Sequence, residues 1–211
     1  MDPMDPMESS EFEPTADSWA EYAPGWDDDP GARAYSSAAY GSLIEVLATR
    51  DYSVAGMSVI DFGCGTGLLA EQLVDEVESI DAVDASPAML EVLDAKIAAR
   101  QWTNVHIGRD LPTGSGTHDL VVCSSVCGFL GDYPGTVTRL AELLRPGGLF
   151  VQWDWEREDA DGDGDGLSRQ EITDALTAAG FDGIHVDTAF ELPFEGEVMR
   201  PLIGIGARPF S

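Results

Sequence analysis

Between Val59 and Leu73 the chain reads VIDFGCGTGLLAEQL, with three glycines in five positions between an apolar run and a helical pattern. The first half has the β-branched and aromatic content of a short buried strand, and the second has the apolar spacing of a helix. Glycines crowd together where the backbone must turn sharply or where another molecule comes close to it. Strand, glycine turn and helix make the opening of a βαβ unit.

The unit recurs along the chain. SVIDF, VESIDAVDA, NVHIGRD, HDLVVCSSV and LFVQWDWE read as strands, and helical stretches separate most of them: GLLAEQLVDE, AMLEVLDAKIAAR and YPGTVTRLAELLRPGG. Ser86 and Pro87 suit the N-cap and first turn of the second of these helices. LSRQEITDALTAAGF is a further capped helix, and GIHVDTAFEL and PLIGIGARP are late strands. Most strands are continuous apolar runs without alternation. They therefore predict an α/β fold with a doubly wound, mostly parallel sheet covered on both faces. No helix separates the last two strands, which predicts an antiparallel edge hairpin at the C-terminus. Residues 1–16, rich in Pro, Asp, Glu and Ser, are expected to be disordered. Residues 17–50 are expected to form a helical lid, and residues 51–211 the α/β domain.

Composition limits the partners. The chain has 211 residues, 39 acidic and 11 basic, a net charge of −28, and Lys96 as its sole lysine. Such a surplus repels nucleic-acid backbones and anionic membranes, so neither is expected as a partner. It resembles the composition of proteins from salt-loving organisms. Cys64, Cys123 and Cys127 have no disulfide or zinc spacing and are expected to be reduced thiols in a cytoplasmic protein. No apolar run reaches membrane-spanning length, and the acidic start MDPMDPMESSEFEP does not read as a signal peptide.

The glycine spacing separates two kinds of nucleotide site. A dinucleotide fingerprint needs Gly-x-Gly-x-x-Gly. Here the order is Gly63-Cys64-Gly65-Thr66-Gly67, with Leu68 where the third glycine belongs. Asp84 closes the second strand 21 positions after Gly63, where a carboxylate can meet both hydroxyls of a ribose.

VIDFGCGTG, VDASPAML and ELLRPGGLFV, in that order, resemble class I S-adenosylmethionine-dependent methyltransferases, in particular their small-molecule methyltransferase-domain branch. The likeness covers roughly residues 40–208. It implies a Rossmann-like fold, S-adenosylmethionine as cofactor, and methyl transfer to a small nucleophile. It also implies roles by position. Asp61 would orient the loop or meet the amino end of the methionine part; Gly63, Cys64, Gly65 and Gly67 would line that part, and Asp84 would hold the ribose. Ala85 and Met89 would border the adenine, Asp110 and Leu111 would meet its edge, and Ser124 would border the methyl group. Tyr22, Trp26 and Tyr35, with Tyr40, would serve as lid aromatics over cofactor or substrate. Two alternatives stay open: an NAD-dependent oxidoreductase on a related fold, and a non-catalytic S-adenosylmethionine-binding protein.

Proton-taking groups are harder to choose, because many such enzymes need no strong base. Asp154 in QWDWE is one candidate, His106 a weaker one, and Tyr133, read as lying in the loop after the fourth strand, another. His185, also in a strand, reads as a packed residue. DADGDGDGLSRQEI resembles a calcium loop, but a Glu falls at the last ligand position in neither register. Asp159–Asp165 is therefore read as a solvated loop with no metal.

The acidic surplus predicts a salt requirement. The Debye length grows from roughly 3 Å at 1 M salt to about 30 Å at 0.01 M, so carboxylate repulsion should lower the melting temperature across that range. Calorimetric melting at the two salt concentrations measures it, and an unchanged melting temperature would remove the halophile reading.

Overall fold

A computed structural model describes residues 18–157, 166–194 and 196–210. The acidic start and the Asp159–Asp165 loop lie outside the described residues. The elements are a short 3-10 helix (Ala23–Asp28), α1 (Pro30–Thr49), β1 (Ser58–Phe62), α2 (Leu68–Leu73), β2 (Ser79–Val83), α3 (Pro87–Arg100), β3 (Val105–Gly108) and β4 (His118–Ser124). After a second 3-10 turn (Cys127–Phe129) come α4 (Tyr133–Leu143), β5 (Leu144–Asp154), α5 (Arg169–Ala178), β6 (Asp182–Thr188), β7 (Leu192–Phe194), β8 (Glu197–Met199) and β9 (Leu202–Ala207).

The sheet order is β3-β2-β1-β4-β5-β9-β6. β1 to β5 are parallel, and β9 is antiparallel to both neighbours. Strand order reverses between β1 and β4, which places a crevice at their carboxyl ends. The doubly wound, mostly parallel fold is as expected. The two late strands do pair antiparallel, but β9 lies inside them, against β5, so β6 alone is the edge. A separate hairpin, β7–β8, occupies the connection between them.

Two boundaries moved for identifiable reasons. The second expected helix turn of GLLAEQLVDE is lost after Leu73, where the Asn104 amide donates to the carbonyls of Val74 and Val77. β5 begins at Leu144, ahead of the expected Leu149, because the chain around Gly147 and Gly148 pairs with Arg208.

Each sheet face carries its own core. Val59, Leu73, Ile80, Leu43 and Trp153 pack under α1 to α3, whereas Ile60, Val121, Phe150, Leu140 and Ile172 pack under α4 and α5. Adjacent Val59 and Ile60 are both fully buried, on opposite faces. This is the burial that a continuous apolar strand requires, and each such side chain contributes about 1.5–3 kcal/mol. Gly204 in β9 explains how α5 reaches the sheet: a Cβ there would lie 2.5 Å from Ile172 Cγ2. Among the described residues no helix is long and apolar enough to cross a membrane.

Candidate functional site

The three loop glycines do different work. All have positive φ: 73° at Gly63, 53° at Gly65 and 83° at Gly67. A Cβ on Gly63 would strike Val126 and one on Gly67 would strike Leu93, each at 2.5 Å, so both glycines serve packing. A Cβ on Gly65 would meet nothing within 4 Å. Gly65 is therefore the part of the loop that faces open space.

Two carboxyl groups border it. Asp84, half-buried just past β2, accepts the Gly65 amide at 2.8 Å on one oxygen and the Ser86 amide at 2.8 Å on the other. Each oxygen keeps a further lone pair. Ser86 caps α3 by accepting the Met89 amide at 3.4 Å, which leaves Asp84 free of that duty. Asp61, at 1% exposure inside β1, has one oxygen with no hydrogen-bond partner. Burial first, and the Asp84 charge second, push its carboxyl up to about 7. Burial likewise raises Asp84, against the pull of its two amides. Cys64 is buried, and its thiol is pushed up by burial first and then by both carboxylates.

A segment from before α1 is fastened across the loop. Asp27 accepts the Thr66 hydroxyl at 2.6 Å and pairs with Lys96 at 2.7 Å. Lys96 also reaches Glu71, which Arg100 holds from its other side. The chain's one lysine is thus 9% exposed at the centre of a network joining the N-terminal segment, α2 and α3. Trp19 packs edge-on to Trp26 at 6.0 Å and to Phe129 at 5.6 Å, extending the same segment to the turn after β4.

A second polar cluster forms at the carboxyl ends of β4 and β5. Asp154 ends β5 at 1% exposure and accepts the Gly128 amide at 3.0 Å. Burial pushes it up to about 7, with the amides of Gly128 and Cys127 and the Cys127 thiol pulling it back. Tyr133 donates to Gln152 at 2.7 Å, and Gln152 donates to Asp154 at 3.4 Å. The Tyr35 hydroxyl, carried in by α1, lies beside that of Ser125, yet neither makes a hydrogen bond of good geometry. Ser125 holds a left-handed φ of 52°, unusual for a residue other than glycine. Asp61 and Asp154 bind protons more tightly in the folded chain than in the unfolded one. Their burial therefore costs stability as pH rises from 3.8 towards about 7. A cationic partner would relieve both.

Other expected residues fall as follows. Met89 is buried in the first turn of α3, Ala85 is exposed, and Ser124 ends β4 half-buried. Asp110 is exposed and Leu111 half-buried in the loop after β3. His106 is exposed on the outer strand β3, so neither clusters with Asp154 nor packs as a core residue. His185 is exposed on the opposite edge strand, not packed. Tyr133 is a buried residue opening α4, where a surface loop position was expected. Tyr35 packs its ring on Trp155 and Phe190, Trp26 joins the fastened segment, and Tyr22 is 40% exposed beside Trp19. Tyr40 turns away to donate to Glu76. Sequence reasoning missed Asp27, Thr66, Ser125 and Gln152. Only Gln152, a polar residue inside an apolar strand, carried a signal.

Residues 32–186 match the Methyltransferase domain family. The chain belongs to that family. S-adenosylmethionine is the cofactor that goes with it. The chain is similar to trans-aconitate 2-methyltransferase of Deinococcus radiodurans, 34% identical over 54% of this chain and 42% of that protein. It is also similar to ubiquinone biosynthesis O-methyltransferase of Vibrio parahaemolyticus, 29% identical over 69% of this chain and 60% of that one. It thus spans roughly half the length of these curated relatives. The fold matches N-methyltransferase NodS of Bradyrhizobium japonicum, solved with S-adenosylhomocysteine, with a TM-score of 0.69 and 17% identity over 93% of this chain and all of that one.

The site also fits the cofactor. A methionine part brings an ammonium, a ribose two hydroxyls, and a sulfonium a further positive charge. Asp61 offers an unused buried acceptor, Asp84 has lone pairs to spare, and Gly65 leaves space between them.

Replacing Lys96 with methionine would leave Asp27 and Glu71 without their shared cation. The expected loss is about 2 kcal/mol, below the 3–5 of a fully buried pair because Asp27 stays partly exposed. Urea unfolding of K96M against wild type checks it; equal midpoints would show that the network does not hold the segment.

Proposed function

We propose that this chain transfers the methyl group of S-adenosylmethionine to a small-molecule nucleophile. The observation that carries the reading is the open face of Gly65 between the carboxyl groups of Asp61 and Asp84. In this reading the unpartnered oxygen of Asp61 accepts from the ammonium of the methionine part, and Gly63, Cys64, Gly65 and Gly67 line it. Asp84 accepts from both ribose hydroxyls while keeping its two backbone amides. Ala85 and Met89 border the adenine, Asp110 and the Leu111 amide meet its edge, and Ser124 borders the methyl group. Trp26 and Tyr35, with Tyr22 at the rim, close over the site from the N-terminal segment.

The bound cofactor supplies a methyl group on a sulfonium, which departs as a neutral thioether. The chain's own task is to align the acceptor and keep water out. A buried carboxyl, Asp61, and a half-buried one, Asp84, beside the glycine loop favour a cationic ligand and oppose the pyrophosphate of NAD, as does Leu68 in place of a third glycine. The names of the two curated relatives support a small acceptor. The net charge of −28 weighs against nucleic acid. Three buried free thiols suit a reducing compartment such as the cytoplasm.

Asp84→Ala should weaken S-adenosylhomocysteine binding at least about tenfold, since one charge-assisted hydrogen bond is worth roughly 1.5–3 kcal/mol. Asp84→Asn, which keeps one acceptor, should fall between. Calorimetric titration measures both, and wild-type affinity in D84A would remove the ribose assignment.

A further inference from the structure

The glycine loop is fastened from outside its own βαβ unit. Within that unit the Gly65 amide donates to Asp84 and the Gly67 amide to the Cys64 carbonyl, both at 2.8 Å. Thr66, between these two glycines, is 1% exposed, and its hydroxyl donates to Asp27 at 2.6 Å. Asp27 belongs to the 3-10 helix ahead of α1, 39 positions away in sequence. Thr66 can therefore hold the middle of the loop in place only as firmly as Asp27 is itself held.

Lys96 does that holding. One Asp27 oxygen takes the Thr66 hydroxyl, and the other pairs with the Lys96 ammonium at 2.7 Å. Glu71 braces the same ammonium from α2 at 3.3 Å, and Arg100 holds Glu71 from its far side. The Lys96 side chain is 9% exposed, so water competes little for the pair. Leu93 lies three positions before Lys96 on α3, and residues so spaced share a helix face. A Cβ on Gly67 would fall 2.5 Å from Leu93. One face of α3 thus packs Leu93 against the loop and holds the loop's outside fastening with Lys96. Without the ammonium, Asp27 and Glu71 would be left as neighbouring like charges.

We infer that Lys96 is a positioning residue for cofactor binding, acting through Asp27 on Thr66 to fix the shape in which Gly65 meets S-adenosylmethionine. This rests on the cofactor seat proposed above and adds to it a residue of α3. Gly65 keeps a left-handed φ of 53° beside Thr66, and peptides held in shape before the ligand arrives lower the ordering cost of binding. The sign of the effect separates positioning from plain electrostatics. A cation near the loop opposes a ligand of net positive charge through space, so removing it would tighten S-adenosylmethionine. Positioning demands the reverse.

S-adenosylhomocysteine and S-adenosylmethionine are titrated calorimetrically into wild type, Lys96→Met, Thr66→Val and the double variant, each folded at the working temperature by its melting curve. K96M and T66V should each weaken both ligands about threefold or more. The double variant should bind within about twofold of T66V, because Lys96 acts through the hydroxyl already removed. Arg145→Met, which removes the same charge near the start of β5, should leave both affinities within about twofold of wild type. Asp27→Asn keeps an acceptor for Thr66 but drops the charge that Lys96 pairs with. It should show the K96M loss and serves as the second variant should K96M melt early. Hydrogen exchange without ligand reads the loop itself. Relative to amides of α4 on the opposite sheet face, those of Gly65 and Gly67 should exchange at least about threefold faster in K96M and T66V. Unchanged relative exchange, tighter S-adenosylmethionine binding by K96M, or losses that simply multiply in the double variant would overturn the assignment. Failure of S-adenosylhomocysteine to bind wild type would instead sink the cofactor reading, and the exchange rates would still decide whether Lys96 shapes the loop.

Discussion

Two backbone amides, those of Gly65 and Ser86, converge on the carboxylate of Asp84. That convergence ties the loop after β1 to the end of β2. It fixes Gly65 in its left-handed turn and leaves Ser86 to cap α3. The open face of Gly65 and the spare lone pairs of Asp84 follow from it, while the place of Asp61 inside β1 buries the second carboxyl nearby. Parallel pairing of β1 with β4 then brings Val126 against Gly63, so the wall beside the loop is the turn that also carries Ser125 and Cys127. The glycine loop and the Asp154 cluster both lie at the carboxyl ends of parallel strands, beside the point where strand order reverses.

Charge organises the site as much as packing does. The chain is strongly acidic, yet its few cations are concentrated in structural pairs. Lys96 is spent internally, between Asp27 and Glu71, to hold the N-terminal segment across the loop. The crevice itself is left with Asp61, Asp84 and Asp154 and no basic side chain among their ion pairs. Buried carboxyls of that kind raise their own proton affinity and favour ligands that bring positive charge. A sulfonium cofactor with an ammonium tail, seated as proposed, would meet that demand beside Asp61 and Asp84.

How much of this was legible depended on sequence distance. Gly63 to Asp84 lies within one βαβ unit, so spacing alone brought out the loop and the carboxylate that closes on it. Ser86 and Ser168 declared their helices because a cap needs only three residues of context. The Asp154 cluster joins Gly128, Tyr133 and Gln152, which meet it only because the turn after β4 and the start of α4 lie against β5. No local pattern encodes that meeting. His185 and Tyr133 were misjudged for the same reason: exposure on an edge strand and burial at a helix start are set by neighbours distant in sequence. The insertion of β9 between β5 and β6 was hidden because an antiparallel pair reads the same whichever member is the edge. The glycines of IGIGA were a clue to it, since a Cβ at Gly204 would strike Ile172 of α5 and one at Gly206 would strike Phe181 just after it.

The central claim is that S-adenosylmethionine lies on Gly65. Calorimetric titration of wild type and Gly65→Val with S-adenosylhomocysteine, and of wild type with NAD, tests it most directly. The account predicts binding of S-adenosylhomocysteine to wild type, no NAD binding, and loss of binding in G65V with the chain still folded by its melting curve. S-adenosylhomocysteine binding to G65V as to wild type, or NAD binding in its place, would contradict it.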